Sequence, residues 1–125
     1  MESRECPFCD ARSEEIVLQN EFWFTRWDKY PVSPGHLLLI PFRHIASYFD
    51  TTPKEKQLLL QMLDDCKRFL DTKYHPDGYN IGINIGEAAG QTIMHLHVHV
   101  IPRYQHDTPH PEGGVRGVIP SKQHY

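Results

Sequence analysis

Apolar and polar positions along this chain change period several times, and each change marks an element. From Ile16 to Trp27, "IVLQNEFWFTRW" predicts two short strands with a turn near Gln19 and Asn20. "KYPVSPGH" (Lys29 to His36) is a loop punctuated by Pro31, Pro34 and Gly35. "HLLLIP" then reads as a short buried strand stopped by Pro41, and "FRHIASYFD" is ambiguous, with room for one helical turn. In "TTPKEKQLLLQMLDDCKRFLDTKY", Thr52 predicts an N-cap, Pro53 the first helical position and Glu55 the far side of a capping box. Leu58, Leu59, Met62, Leu63, Cys66, Phe69 and Leu70 recur at helical spacing along one face. After the break at "HPDG", "YNIGINIG" alternates strictly, with Ile81, Ile83 and Ile85 on one side and Asn80, Gly82 and Asn84 on the other. "EAAGQT" reads as a loop and "MHLHVHVIP" as the last strand, ended by Pro102. The segment 104–125, rich in Pro and Gly, predicts an irregular tail. Strands, one long helix and strands again predict an α+β fold on an antiparallel sheet.

The last strand poses the chemical question. Alternate strand residues share a face, so His95, His97 and His99 line one surface while Leu96, Val98 and Val100 pack the other, plausibly against the helix. Three polar residues on a solvent face are ordinary; three identical titratable ones are not. His-x-His on a strand can supply two ligands to one ion. A neutral imidazole is also a nucleophile toward phosphorus, and a neighbouring imidazole can handle the leaving group's proton. The Gly-containing loop "NIGEAAGQT" directly before the histidines offers backbone N–H groups able to cradle phosphate oxygens. Alone that loop is a weak signal; beside the histidines it favours catalysis on a phosphate.

Length and charge narrow the classes. A chain of 125 residues suits one domain, with a core over about 6–103. A net charge of −3 gives no electrostatic case for a duplex nucleic acid partner. "MESRECPFCD" lacks the apolar stretch of a secretory leader and no apolar run approaches a membrane span, so a cytoplasmic location and no membrane partner are the expectations. Cys6 and Cys9 form a C-x-x-C while Cys66 stands apart, which is not a disulfide framework.

Taken together, "HLHVHVI", "GQT" at Gly90–Thr92 and "PGHLLLIP" make the sequence similar to the histidine triad (HIT) family, over about Cys6 to Arg103. The tail "GGVRGVIPSKQHY" resembles that of a bacterial subgroup often labelled diadenosine-tetraphosphate-hydrolase-like. The resemblance implies an antiparallel meander of about five strands with one long helix, paired in a homodimer. It implies a nucleotide hydrolase or nucleotidyl transferase acting at an α-phosphorus. By position, His97 is the expected nucleophile, forming a nucleotidyl-histidine intermediate and releasing AMP. His99 is the expected contact to phosphate and bridging oxygen, and His36 the fourth histidine of the relay. Asn84 falls near the leaving group, Gly90, Gln91, Thr92 and Ile93 form the phosphate loop, and Asp28 sits where the ribose hydroxyls bind. The uridylyltransferase branch carries Gln where this chain has His99, which argues for hydrolysis over transfer.

"CPFC" has the spacing of half a zinc site. The resemblance completes it as a structural zinc held by Cys6, Cys9, His44 and His95, with no catalytic cofactor; His95 then does no proton transfer. Cys66 reads as a small core residue. Trp23, Trp27 and Phe8 are each weighed as core or as a base-stacking ring, Arg43 as a phosphate contact, and Arg116 and Lys122 as contacts to a distal phosphate. Two other functions stay open: a nucleotide-binding regulatory module with little turnover, and a metal-dependent enzyme holding one ion on His95, His97 and His99.

Overall fold

The computed structural model describes residues 6–125. Four strands, β1 (Trp23–Trp27), β2 (Leu37–Pro41), β3 (Gly78–Ile83) and β4 (Val98–Arg103), form one antiparallel sheet in the order β1-β2-β4-β3. The helix α1 (Pro53–Tyr74) begins as the sequence predicts: Thr52 Oγ1 accepts from the Glu55 N–H and Glu55 Oε1 accepts from the Thr52 N–H. The buried Glu55 carboxylate also takes both arms of the Arg43 guanidinium, at 3.0 and 2.8 Å. Arg43 is therefore a brace between the loop after β2 and the helix, not a phosphate contact.

The sheet buries two faces against different partners. Trp23, Leu37, Leu39, Leu96, Val98 and Val100 pack on Leu59, Met62, Cys66 and Leu70 of α1. The Trp23 indole N–H donates to the Glu55 carbonyl, which places that ring in the core. On the opposite face, Phe24, Leu38 and Ile40 are covered by Cys6 and Phe8. This double burial explains why "LLLIP" is apolar at every position.

The sheet differs from the expected five-stranded meander in count and order. Residues 16–19 run beside β1, with Val17 N–H to Thr25 O and Thr25 N–H to Leu18 O. The Thr25 hydroxyl takes the Leu18 N–H, however, and only a Gln19–Phe24 bridge forms. The last strand is shorter at its start than its alternation suggests. Leu96 gives its N–H to the Ile45 carbonyl, so His95 and His97 lie in an extended lead-in and the ladder begins at Val98. Pro102 does not end the strand: β2 pairs with β4 only from Val98 to Val100, and an edge position tolerates a proline.

The tail is ordered rather than irregular. It carries two 3-10 turns, Gly114–Val118 and Pro120–Lys122. It covers the β3–β4 half of the face whose β1–β2 half is covered by the Cys6–Cys9 knuckle. Knuckle and tail leave a gap between them, and His99 lines the clefts on both sides of it.

Candidate active site and metal centre

The three histidines of "HLHVH" stand in three different settings. His99 sits inside the ladder, opposite Leu38 of β2 and Gly82 of β3. His97 and His95 precede it and diverge, the first toward the gap and the second into the protein, where it is fully buried.

Backbone partners set each proton. His97 Nδ1 lies 2.9 Å from the His95 carbonyl, an acceptor only, so Nδ1 carries the hydrogen and Nε2 presents its lone pair. His95 is the mirror case: Nε2 donates to the Pro41 carbonyl at 2.8 Å, leaving Nδ1 as the free lone pair. His36 Nδ1 accepts the Val32 N–H at 3.2 Å, so its hydrogen is on Nε2, which points at His99 Nδ1 3.0 Å away. His99 Nδ1 is thereby an acceptor, and its Nε2–H faces the gap. The turn that delivers His36 requires a glycine: Gly35 has φ +90°, and a Cβ there would meet Tyr74 at 3.0 Å and Pro102 at 3.2 Å.

Asp28 sits against this pair, with Oδ2 3.4 Å from His36 Nε2 and 3.9 Å from His99 Nδ1, while Oδ1 accepts the Tyr30 N–H. Burial pushes His99 down from the usual 6.5 to about 4, helped by His97 and His36 and opposed by Asp28. Burial also lowers His36, against the pull of Asp28. At neutral pH both rings are uncharged, which the donor chain through them requires.

A cleft of about 290 Å³ opens beside His97 and His99, with Asp28 and Lys29 at one side and Phe8, Leu38 and Ile93 as apolar walls. Phe8, rather than Trp23 or Trp27, is the ring at the site. Its centroid lies 5.0 Å from that of His97, and the Arg26 guanidinium lies 4.9 Å over it. Trp27 packs instead on Phe69 and Tyr74. Asn84 lines a second cleft on the far side of His99. Gly90, at φ +93°, and the exposed Thr92 stand in the loop before the histidines. The buried Gln91 side chain braces that loop, accepting from Gly86 N–H and donating to the Ala46 and Ile93 carbonyls, and the Gly90 and Gln91 N–H groups donate to the Glu87 and Gly86 carbonyls, so Thr92 and Ile93 carry the N–H groups the loop can offer a ligand. Sequence reasoning missed this brace; a glutamine between glycine and threonine carries no pattern that announces burial. Of the two tail cations, Arg116 is engaged elsewhere, donating to the Lys122 and Gln123 carbonyls.

Cys6, Cys9, His44 and His95 converge behind the triad, their ligand atoms all within 4.8 Å of one another. Cys6 Sγ and His95 Nδ1 are 3.3 Å apart, Cys9 Sγ and His44 Nδ1 3.0 Å, and His44 Nδ1 and His95 Nδ1 3.0 Å. A tetrahedral zinc needs edges of about 3.3 Å between nitrogens and about 3.5 Å between sulfur and nitrogen. These three edges match within about half an ångström. The His95 lone pair already points inward, held by the Pro41 contact. Among the described residues His97 belongs to no such cluster, so the three triad histidines do not converge on one ion.

A family profile described as HIT domain matches residues 11–106. An AP-4-A phosphorylase of Mycobacterium tuberculosis is 33% identical over 104 residues, covering 82% of this chain and 53% of that protein. A bis(5'-adenosyl)-triphosphatase of Saccharomyces cerevisiae is 33% identical over 94 residues, covering 74% and 46%. The chain thus spans about half the length of these curated relatives. The crystal structure of a Zn-bound histidine triad family protein from Mycobacterium smegmatis superposes with a TM-score of 0.75 at 31% identity, covering 96% of this chain and 94% of that one. A matching profile over most of the chain, a shared fold and an ordered His95–His97–His99 segment agree, and the chain belongs to the HIT family.

Proposed function

We propose that the protein is a nucleotide hydrolase that attacks the α-phosphorus of an adenosine nucleotide conjugate and releases AMP. The conjugate is a dinucleoside polyphosphate or a nucleoside phosphoramidate. The observation that carries this reading is the His97 ring, locked by the His95 carbonyl with Nε2 free and facing a cleft. The names of the two curated relatives support the adenosine class.

The nucleoside lies in the cleft walled by Phe8, Leu38 and Ile93, with its ribose hydroxyls donating to Asp28. The loop from Gly90 to Ile93 holds the phosphate through the Thr92 and Ile93 N–H groups and the Thr92 hydroxyl, the Gly90 and Gln91 N–H groups being bonded to the Glu87 and Gly86 carbonyls. His97 Nε2 attacks in line; an N–P bond forms and the bond to the leaving group breaks. The His99 Nε2–H donates to the bridging atom, with His36 holding that tautomer and Asn84 on the leaving-group side. Water then attacks phosphorus; over the two half-reactions its hydroxyl ends on AMP and its proton on the leaving group, and His97 is restored. Position and charge stabilisation are the main contributions of the protein. Cys6, Cys9, His44 and His95 would hold a zinc ion that supplies structure only; the Mycobacterium smegmatis neighbour is described as Zn-bound. A homodimer in the cytoplasm completes the reading.

The test follows AMP release from diadenosine tetraphosphate and, separately, from adenosine 5′-phosphoramidate, with His97→Ala beside each. Release that vanishes in the variant is expected. No release from either by the wild-type chain, with AMP still bound, would replace hydrolysis by a nucleotide-binding regulatory role.

A further inference from the structure

The cleft beside Phe8 holds a buried cation that the chemistry at phosphorus does not use. Arg26 of β1 lines it together with Phe8, Leu38 and His97. Arg26 stands opposite Leu38 of β2, and Leu38 opposite His99 of β4, so the three form one row across the same face of the sheet. Two strand spacings put the Arg26 and His99 backbones about 10 Å apart. Asp28 lies two residues beyond Arg26, and its N–H donates to the His36 carbonyl, which continues the pairing and keeps it on that face. The histidines, Asp28 and Arg26 thus follow one another as phosphate, ribose and base do in a nucleotide.

Arg26 is only 6% exposed. Among the described residues its polar contacts run through Nη1 alone, which donates to the Pro7 carbonyl at 3.3 Å and lies 3.9 Å from Glu15 Oε1. The guanidinium carbon sits 4.9 Å over the Phe8 ring. Nε and Nη2 make no hydrogen bond to the described residues. Neither is sealed in, because no unpaired side-chain nitrogen or oxygen among those residues is fully buried. The bracing arginines of this chain spend the same two donors: Arg43 sets Nε and Nη2 on Glu55, and Arg103 sets them on Asp107 with Nη1 on Asn80. A buried guanidinium is costly unless its donors are met. Two adjacent open donors beside a cleft call for a ligand edge with two adjacent acceptors.

We infer that Arg26 reads the base, and that the cleft takes guanosine conjugates as well as adenosine ones and holds guanine the more tightly. Guanine presents O6 and N7 side by side, the acceptor pair that a guanidinium takes with two parallel hydrogen bonds. Adenine presents N7 beside its N6 amino group, whose hydrogens would meet the second donor. The Pro7 carbonyl fixes Nη1 and so sets the plane of the fork, while Phe8 supports its face. This rests on the seating of the nucleoside in the hydrolase reading above and adds no step at phosphorus. Arg26 sets specificity: it touches the base and none of the reacting atoms.

The experiment measures equilibrium binding of GMP, IMP, 7-deaza-GMP and AMP to the full chain. Hypoxanthine keeps O6 and N7 without the 2-amino group, and 7-deazaguanine lacks N7. GMP and IMP are expected to bind about tenfold or more tightly than AMP, the scale on which one bidentate pair discriminates. 7-deaza-GMP should lose most of that advantage. Arg26→Met, which keeps an apolar contact to Phe8, should level the four. The base analogues need only the wild-type chain, so the comparison stands even where the variant fails to fold. Guanosine 5′-phosphoramidate should likewise exceed adenosine 5′-phosphoramidate in kcat/KM. AMP bound as tightly as GMP overturns the inference, and so does a GMP preference that persists in folded Arg26→Met. IMP bound no better than AMP also overturns it, by assigning the discrimination to the 2-amino group. A GMP preference that depends on Arg26, with neither phosphoramidate turned over, upholds the base assignment and removes the hydrolase reading instead.

Discussion

His36 Nε2 stands 3.0 Å from His99 Nδ1, and the Val32 N–H, bonded to the other nitrogen of His36, decides which ring holds the proton between them. His36 is therefore a donor, and His99 keeps its Nε2–H for the substrate. Replacing His36 by Ala frees the His99 tautomer and exposes Asp28 Oδ2 without its partner. We expect kcat to fall on the order of 100-fold, the low end for a positioned proton donor. AMP affinity, which depends on the cleft beside Phe8, should change far less. Steady-state kinetics with a direct binding measurement separate the two; equal losses in both would refute the assigned tautomer chain.

Burial of these uncharged rings makes stability depend on pH. His99 titrates near 4 in the folded chain and near 6.5 when exposed, and His36 is shifted in the same direction. Between those values the unfolded chain binds more protons, so stability rises with pH across that window and is lost as pH falls from 6.5 toward 4. Urea titrations at pH 7.0, 5.5 and 4.5 should show this slope, and His99→Gln should flatten it. An unchanged slope in the variant would place the titrating group elsewhere.

Phe8 ties the knuckle to His97, the proposed nucleophile. It sits between Cys6 and Cys9 in sequence, is buried, and packs its ring against His97 on one side and Arg26 on the other. Phe8→Ala should destabilise the chain by about 3–5 kcal/mol, the usual range for a buried phenylalanine. Phe8→Leu keeps much of the apolar contact and loses the ring. It should retain most of the stability while lowering kcat, because His97 loses the surface that fixes its plane. Activity that tracks stability through both variants would show that Phe8 has only a packing role.

Much of this was legible in the sequence because its signals are local. The capping box at Thr52 and Glu55, the helix face through Leu59, Met62, Cys66 and Leu70, and the alternation from Leu96 to Val100 all depend on neighbours within a few residues. The His97 and His99 assignments came from an ordered motif. What stayed hidden depends on contacts distant in sequence. Leu96 gives its N–H to Ile45 and so delays β4, and the Thr25 hydroxyl competes with a ladder bond. The tail was misread for the same reason. Its Pro and Gly content predicted irregular structure, whereas Gly113 and Gly117 are small because Gln123 occupies the space their side chains would need.

The Cys6–Cys9–His44–His95 cluster joins three segments remote in sequence, so an ion there crosslinks the knuckle, the loop after β2 and the lead-in to β4 that carries His97. Burial and the neighbouring Cys6 push the Cys9 thiol up to about 11. An ion must displace that proton, and binding should weaken as pH falls. Elemental analysis of the purified chain should find about one zinc per chain, as a single four-ligand structural site requires. Removing it with a chelator should lower Tm on the order of 10 °C, since several kcal/mol of metal binding enter the folding balance at a few degrees each. Cys6→Ser should reproduce that loss without a chelator. Because His95 turns its free nitrogen to the cysteines and only its carbonyl to His97, activity should decline with the loss of folded protein and not ahead of it. Activity that vanished at once on chelation, with Tm unmoved, and returned on adding metal would instead make the ion part of the reaction.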